Sequence, residues 1–176
     1  MKWYHVFFFV FVIAISSLTI YTALTPHTYS SNGIYFNYPG TWNEITPNPV
    51  NGTNVSTNSN IVVVGDPNSA DNGNIIVLVQ KINKTGTLDE VAEASKTHLL
   101  EDWKGAMLSD DIITVDGRQA HDIIWVTDSK TNKKERMVIF DKNDMVYCII
   151  LGGSASAFDA QKKNFDLIVY SFRVID

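Results

Sequence analysis

Apolar and polar residues alternate along several short stretches of the chain, and this period of two predicts β-strands. The first stretch is 34–38, which ends at the turn-forming pair Pro39-Gly40. β-branched runs follow at 61–64 and 74–82, and the residues between them are strong turn formers. These two runs therefore predict a β-hairpin.

Four further apolar runs predict an antiparallel meander, at 112–115, 119–127, 136–140 and 145–151. The pair Asp116-Gly117 between the first two runs is a strong signal for a tight hairpin turn. A polar turn at 141–144 joins the last two runs, and Gly152-Gly153-Ser154 is expected to end the meander.

Two segments have the helical spacing of apolar residues. Thr87 and Glu90 have the spacing of a capping box, and apolar residues then recur at three- and four-residue steps, which predicts a helix of about 16 residues. A second amphipathic helix is predicted between Ser156, its expected cap, and Phe172, with a short closing strand at 173–175. The order strands, helix, strands, helix predicts an α+β fold in which helices cover an antiparallel sheet.

The first 24 residues differ from the rest, since 18 of them are apolar and Lys2 is their only Lys or Arg. Residues 3–24 would form a helix of about 33 Å, enough to cross a membrane. Lys2 then places the N-terminus in the cytoplasm and the remaining chain outside. The alternative is a cleaved signal peptide, because the run 6–15 also has the length of a signal h-region, and the domain would then be secreted.

The sequence thus predicts three parts: a membrane anchor or signal segment at 1–24, a polar tether at 25–32, and one extracytoplasmic domain at 33–176. Within the domain, residues 46–60 carry no charged side chain and two prolines, which predicts a surface loop.

Composition excludes several classes of protein. The chain has 176 residues, one cysteine and a net charge of −5. One cysteine allows neither a disulfide framework nor a cysteine-built zinc or iron–sulfur site. An excess of acidic side chains disfavours binding to nucleic acid.

The strand at 34–38 belongs to a longer motif, Gly33-Ile34-x-Phe36-x-Tyr38-Pro39-x-x-Trp42. Together with Val146-Tyr147 and the closing run 167–174, this motif resembles the PsbP family over about residues 33–176. The resemblance implies an α/β/α sandwich around an antiparallel sheet. It also implies a noncatalytic accessory or binding module outside the cytoplasm. The N-terminal region here is apolar rather than a charged extension, so no photosystem binding is carried over.

Catalytic chemistry has little support in the sequence. The histidines of the exported part are His27 in the tether, His98 on the first helix and His121 in a strand beside Asp122, and no G-x-S-x-G motif is present. We therefore expect no enzymatic activity, no catalytic residue and no cofactor. Cys148 is expected to be a buried small hydrophobe.

Ligand binding has weak candidates. Asp66, Asn68 and Asp71 offer oxygen ligands for a cation such as Ca²⁺, although turn propensity alone explains all three. Asp110-Asp111 is expected in a solvated loop. Gly152-Gly153-Ser154 could form an anion-binding turn, although a plain strand-to-helix turn explains it better.

Glycosylation and aromatic contacts are the remaining candidates. Three sequons begin at Asn51, Asn54 and Asn83. The tryptophans Trp42, Trp103 and Trp125 are expected in the core, with an exposed binding edge as the alternative.

The sequence therefore favours a membrane-anchored extracytoplasmic module that binds a protein partner. The alternative is an extracytoplasmic protein that binds a small ligand or a cation.

Overall fold

The computed structural model describes residues 25–45, 60–67, 75–101, 104–127 and 132–175. Its strands are β1 His27–Ser31, β2 Ile34–Tyr38, β3 Asn43–Glu44, β4 Asn60–Gly65, β5 Ile76–Asn83, β6 Ala106–Val115, β7 Arg118–Val126, β8 Lys133–Lys142, β9 Met145–Ser154 and β10 Arg173–Val174. Its helices are α1 Leu88–Glu101, α2 Ala155–Phe158 and α3 Lys162–Ser171, with a 3₁₀ turn at Asp159–Gln161. The predicted α+β class is confirmed.

The strands form two antiparallel sheets. A seven-stranded sheet has the order β3-β4-β5-β9-β8-β7-β6, and a three-stranded sheet has the order β1-β2-β10. The predicted β4–β5 hairpin and the four-stranded meander β6 to β9 are both present. The meander joins the hairpin through the pairing of β5 with β9.

Tight turns fix the register of the meander. Asp116 and Gly117 have φ values of 50° and 73°, and Asn143 and Asp144 have values of 53° and 58°. Positive φ at both central residues matches the right-handed twist of the flanking strands. The first turn sets Val115 opposite Arg118 and so determines the pairs of β6 and β7 as far as Ser109.

Helix α1 covers one face of the large sheet. The capping box is confirmed, because the main-chain N of Thr87 donates to Oε2 of Glu90 at 2.8 Å and the N of Glu90 donates to Oγ1 of Thr87 at 3.2 Å. Ala92 and Leu99 are buried on the sheet side. They pack with a cluster of sheet residues, which comprises Ile123, Trp125, Ile139, Val146 and Cys148.

Helix α3 and the small sheet cover the opposite face and enclose the larger part of the core. Phe165, Ile168 and Val169 of α3 are buried there. Aromatic rings join the layers, since Phe36 of β2 stacks on Phe172 at 5.9 Å between ring centroids. Apolar helices thus lie on both faces of the sheet, in the α/β/α arrangement that the resemblance implies.

The tether predicted at 25–32 is wrong for most of its length. Residues 27–31 form β1, which pairs with β2 from His27–Tyr38 to Ser31–Ile34. Tyr29 is buried against the core, whereas its neighbours in the strand are exposed. One buried side chain in five is too weak a pattern to identify a strand from sequence.

Two predicted loops are strands. Asp110 and Asp111 lie within β6, and Gly152, Gly153 and Ser154 complete β9. Packing at Gly152 is tight, because a Cβ there would lie 3.0 Å from Cγ of Glu135 on β8 and the Glu135 side chain would have to shift. The helical cap is Ser154 rather than Ser156, since Oγ of Ser154 accepts a hydrogen bond from the N of Ala157.

Candidate functional site

Strand β6 forms one edge of the seven-stranded sheet and pairs only with β7 among the described strands. It is ten residues long, and seven of those residues are exposed. Asp110 as a whole is exposed, but its side chain is only 22% exposed. Much of its exposed area is therefore main chain. Alternate residues of an edge strand direct their N–H and C=O groups away from the sheet. The free side of β6 is therefore able to accept a further strand.

Large apolar side chains are exposed along this edge. Met107 is 43% exposed, Leu108 55% and Ile112 58%, and Leu100 of α1 is 43% exposed beside Met107. We call these four residues the β6 surface. Single exposed apolar residues are ordinary, but a set gathered along one free edge of a sheet is typical of an interaction site.

The edge has an irregularity at Leu108. The register with β7 shifts between Met107 and Ser109, which leaves Leu108 as the extra residue of a β-bulge. Pairing is regular from Ser109 to Val115. A partner strand therefore has seven regular residues of β6 available to it.

A polar cluster beneath β6 joins this strand to α1. Nδ1 of His121 lies 3.2 Å from Oδ1 of Asp110, and Nε2 lies 3.0 Å from Oδ1 of Asp89 on α1. Lys96 of α1 donates to Oδ2 of Asp110 at 2.7 Å and also pairs with Glu93. An imidazolium ring donates to both carboxylates at once, whereas a neutral ring donates to one. The cluster holds the edge strand against the helix.

Contacts within this cluster shift the pKa values of Asp110 and Lys96. Burial disfavours the charged form of Asp110, but the hydrogen bonds from Lys96 and His121 outweigh burial and lower the pKa of Asp110 below its ordinary value. The same bond with Asp110, helped by the carboxylate of Glu93, raises the pKa of Lys96. Asp110 is therefore a satisfied anion and is not available to a partner.

Asp111 differs from its neighbour. It pairs across the strands with Asp122, and Asp122 binds Arg136, which also donates to Asp166 of α3. Asp111 is exposed, and none of the ion pairs found within the described ranges includes it. Like charges directly opposite each other on two strands are unfavourable. The α3 side of the β6 edge thus carries a carboxylate without a cation.

A polar cleft lies at the start of α1. Its volume is about 480 Å³, and it is lined by Leu88, Asp89, Gly117, Arg118, Gln119 and Asp141. Nε of Arg118 donates to the main-chain oxygen of Asp141 at 3.2 Å, and the Arg118 side chain is 54% exposed. The cleft could hold a small polar ligand.

The residues proposed as cation ligands are not brought together within the described part of the chain. Asp66 follows β4, whereas Asn68 and Asp71 lie outside the described residues. No group of three or more His, Cys, Asp or Glu side chains is placed to hold a metal ion among the residues that are described. The cation hypothesis at this loop stays a prediction.

The sequons and the N-terminal segment are partly outside the described ranges. Asn83 lies at the exposed end of β5, while Asn51 and Asn54 are outside. Residues 1–24 are outside as well, and no described helix is long and apolar enough to cross a membrane. The anchor and the glycosylation sites stay predictions.

The tryptophans do not form an exposed edge where they are described. Trp42 is 1% exposed and Trp125 2% exposed, and Trp103 lies outside the described residues. Cys148 is buried as expected, and burial raises the pKa of its thiol to about 12.

His121, which the sequence identifies only as a strand residue beside Asp122, is buried at 9% exposure between the carboxylates of Asp110 and Asp89. His121 and Asp122 do point to opposite faces, towards Asp89 of α1 and Arg136 respectively. The register set by the Asp116-Gly117 turn was the available signal, because continuing it places Asp111 opposite Asp122 and Ile112 opposite His121.

Comparison with protein families gives a match to the family described as PsbP-like protein, over residues 21–174. The chain belongs to the PsbP-like family. The match covers all the described strands and helices. No curated protein matches the chain.

Solved structures have the same PsbP-like fold. The solution structure of cyanobacterial PsbP, CyanoP, from Synechocystis sp. PCC 6803 is similar with a TM-score of 0.63 and 16% identity, over 85% of this chain and 92% of that one. The crystal structure of LpqN from Mycobacterium tuberculosis, involved in cell envelope biogenesis, has a TM-score of 0.60 and 12% identity, over 86% of this chain and 90% of that one. At these identities the likeness establishes the fold alone.

Proposed function

We propose that this PsbP-like protein is a noncatalytic, membrane-anchored accessory module that binds a protein partner outside the cytoplasm. The observation that carries the proposal is the β6 surface, in which an unpaired sheet edge and four exposed apolar side chains coincide. Apolar surface in contact with water is unfavourable, and binding a partner removes that contact.

The location rests on the sequence of residues 1–24, which is apolar and carries a positive charge only at its beginning. Protease added to intact cells is expected to digest the domain, while alkaline washing leaves the remaining N-terminal fragment in the membrane. A domain protected from protease would contradict the proposed orientation. Release by alkaline washing would contradict the anchor.

Partner binding is tested at the β6 surface itself. Replacing Leu108 and Ile112 with Ser is expected to abolish partner binding while the domain stays folded, because both side chains are more than half exposed. The matched control is Tyr170→Ser on α3, which removes a side chain that is 52% exposed and belongs to a different element. Equal effects of the two changes would contradict the proposed site.

A second candidate function is the binding of a small polar ligand or a cation, which the cleft at the start of α1 favours. Thermal unfolding of the full chain with Ca²⁺ and with a panel of polar metabolites tests it. A ligand at a hundred times its dissociation constant stabilises a protein by about 2.7 kcal/mol. If a ligand in this cleft raises the unfolding temperature, the Arg118→Ala variant is expected to lose that increase. If none of the compounds raises the unfolding temperature, this candidate function is excluded.

A further inference from the structure

We infer that the partner contributes an extended segment that pairs with β6 as an eighth strand, and that this segment carries a Lys or Arg opposite Asp111. The inference rests on the proposed function and names the chemistry of the partner. Its basis is the combination of a regular seven-residue edge, an uncompensated carboxylate and apolar side chains on both sides of it.

The free edge of β6 provides the main-chain groups that an added strand would bind. Ser109 to Val115 pairs regularly with β7, so the opposite side of these residues presents an ordered row of main-chain groups. An added strand satisfies these groups by hydrogen bonds, as in other cases where a peptide extends a sheet. The bulge at Leu108 ends the regular row and limits the partner to a short segment.

Charge then selects the partner. The α3 face of this edge contains Asp111, Asp122 and Asp166, with Arg136 and Lys162 as their cations in the described ion pairs. Three carboxylates against two cations leave one negative charge, and Asp111 is its most exposed member. A cation directly across from Asp111 on an added strand neutralises this charge at cross-strand distance.

The same carboxylates disfavour a second copy of the chain as the occupant. β6 contains no Lys or Arg, so a second copy paired through β6 cannot place a cation opposite Asp111. The register centred on Asp111 would set the two Asp111 carboxylates opposite each other, and like charges facing each other across strands are destabilising. The net charge of −5 adds a general repulsion between copies. A segment of another protein that carries a basic residue fits the edge, and a copy does not.

Side-chain alternation gives the order of residues in the segment. Ile112 faces α1, because it pairs with His121, whereas Ile113 faces the main core and is packed against it. Ile112 is next to Asp111 along the strand, and Ile113 follows Ile112. An antiparallel partner therefore presents two apolar residues, opposite Ile113 and Ile112, followed by a basic residue opposite Asp111.

The test uses the full chain and a backbone-cyclised β-hairpin peptide whose outer strand reads Thr-Val-Val-Arg-Thr-Ser. The matched control peptide carries Glu in place of Arg. We expect the arginine peptide to bind roughly fivefold more tightly than the glutamate peptide, and we expect Asp111→Asn to remove most of this difference. Deuterium exchange is expected to slow at residues 109–115 and to stay unchanged at 76–83 in the sheet interior.

Equal affinities for the two peptides, or no slowing at 109–115, would overturn the inference. Slow exchange of the outward-facing amides of 109–115 in the chain alone would overturn it too, because the free edge would then be occupied by the chain itself. A dimer that Asp111→Asn strengthens would also overturn it. Thermal unfolding of Asp111→Asn shows that the variant is folded, and its midpoint is expected to equal or slightly exceed that of the unaltered chain, because the charge opposite Asp122 is removed. Crosslinking through Ile112 in cells distinguishes the inference from the proposed function. If a partner is captured there but the peptides do not bind, the proposed function is retained and strand addition is excluded. If neither capture nor peptide binding is observed, both the proposed function and strand addition are excluded.

Discussion

The guanidinium group of Arg136 donates two hydrogen bonds to the carboxylate of Asp122 on the neighbouring strand, Nε to Oδ1 at 2.7 Å and Nη2 to Oδ2 at 2.8 Å. The remaining nitrogen of the guanidinium group, Nη1, donates to Oδ1 of Asp166 on α3 at 2.7 Å. Burial alone would lower the pKa of Arg136, but the two carboxylates outweigh it and raise the pKa. The interaction ties α3 to the sheet.

Arg136→Met is expected to destabilise the domain by about 3 kcal/mol or more, because it leaves the buried carboxylate of Asp122 without a cation. Denaturant unfolding measures the loss. The matched control is Lys134→Met on the same strand, whose partner Asp159 has a side chain that is 76% exposed. Exposed pairs contribute about 1 kcal/mol or less, so similar losses for the two variants would contradict the structural role of Arg136.

Acid is expected to destabilise the domain through Asp110 and Asp166. Burial opposes ionisation of Asp166, but hydrogen bonds from Lys162 and Arg136 outweigh it and lower the pKa, as happens at Asp110. A lowered folded-state pKa gives stability that is present above the unfolded value of about 3.9 and is lost as the pH falls through the folded value. Unfolding at pH 2 to 6 should therefore show a falling limb below about pH 4 that is shallower in Asp166→Asn. An acid limb of unchanged slope in Asp166→Asn would contradict this origin of the loss of stability in acid.

Ionised Glu135 is expected to destabilise the folded domain, opposite to the effect of Asp110 and Asp166. Burial raises the pKa of this carboxyl, with a smaller opposing effect of Lys133, so its ionised form is disfavoured in the folded state. Glu135→Gln should increase the free energy of unfolding at pH 7 by roughly 0.5–1 kcal/mol. The gain should shrink below about pH 4, where the carboxyl is protonated in both states. A loss of stability at pH 7 would show that the charge has a favourable partner.

Cys148 is expected to resist alkylation in the folded protein. Its thiol is buried and its pKa is raised to about 12, so almost no thiolate is present at pH 8. Mass spectrometry after brief treatment with iodoacetamide should find the cysteine unmodified in the folded chain and modified in denaturant. Rapid modification of the folded chain would contradict the buried position.

Strong local patterns identified most of the fold. The Asp116-Gly117 turn, the capping box of Thr87 and Glu90 and the aromatic motif ending at Trp42 each require a particular local structure, and each was correctly read from sequence. Strand β1 was missed because only Tyr29 is buried in it.

The candidate site was harder to predict. Asp110 and its two partners come from three separate parts of the chain, since Lys96 and His121 reach Asp110 on β6 from α1 and β7. The exposed position of Ile112 depends on β6 being the edge of the sheet, which follows from strand order rather than from the pattern within the strand. Two consecutive acidic residues indicated a loop, whereas the position of β6 at the sheet edge leaves Asp111 exposed within a strand.

Site-specific photocrosslinking in the native host tests the proposed binding surface most directly. A photoreactive amino acid replaces either Ile112 on β6, which is 58% exposed, or Tyr170 on α3, which is 52% exposed. We expect one protein to be captured in a discrete product from position 112, with no equivalent product from position 170. Capture from position 170 alone, or from neither position at native levels of the protein, would contradict partner binding through the β6 surface.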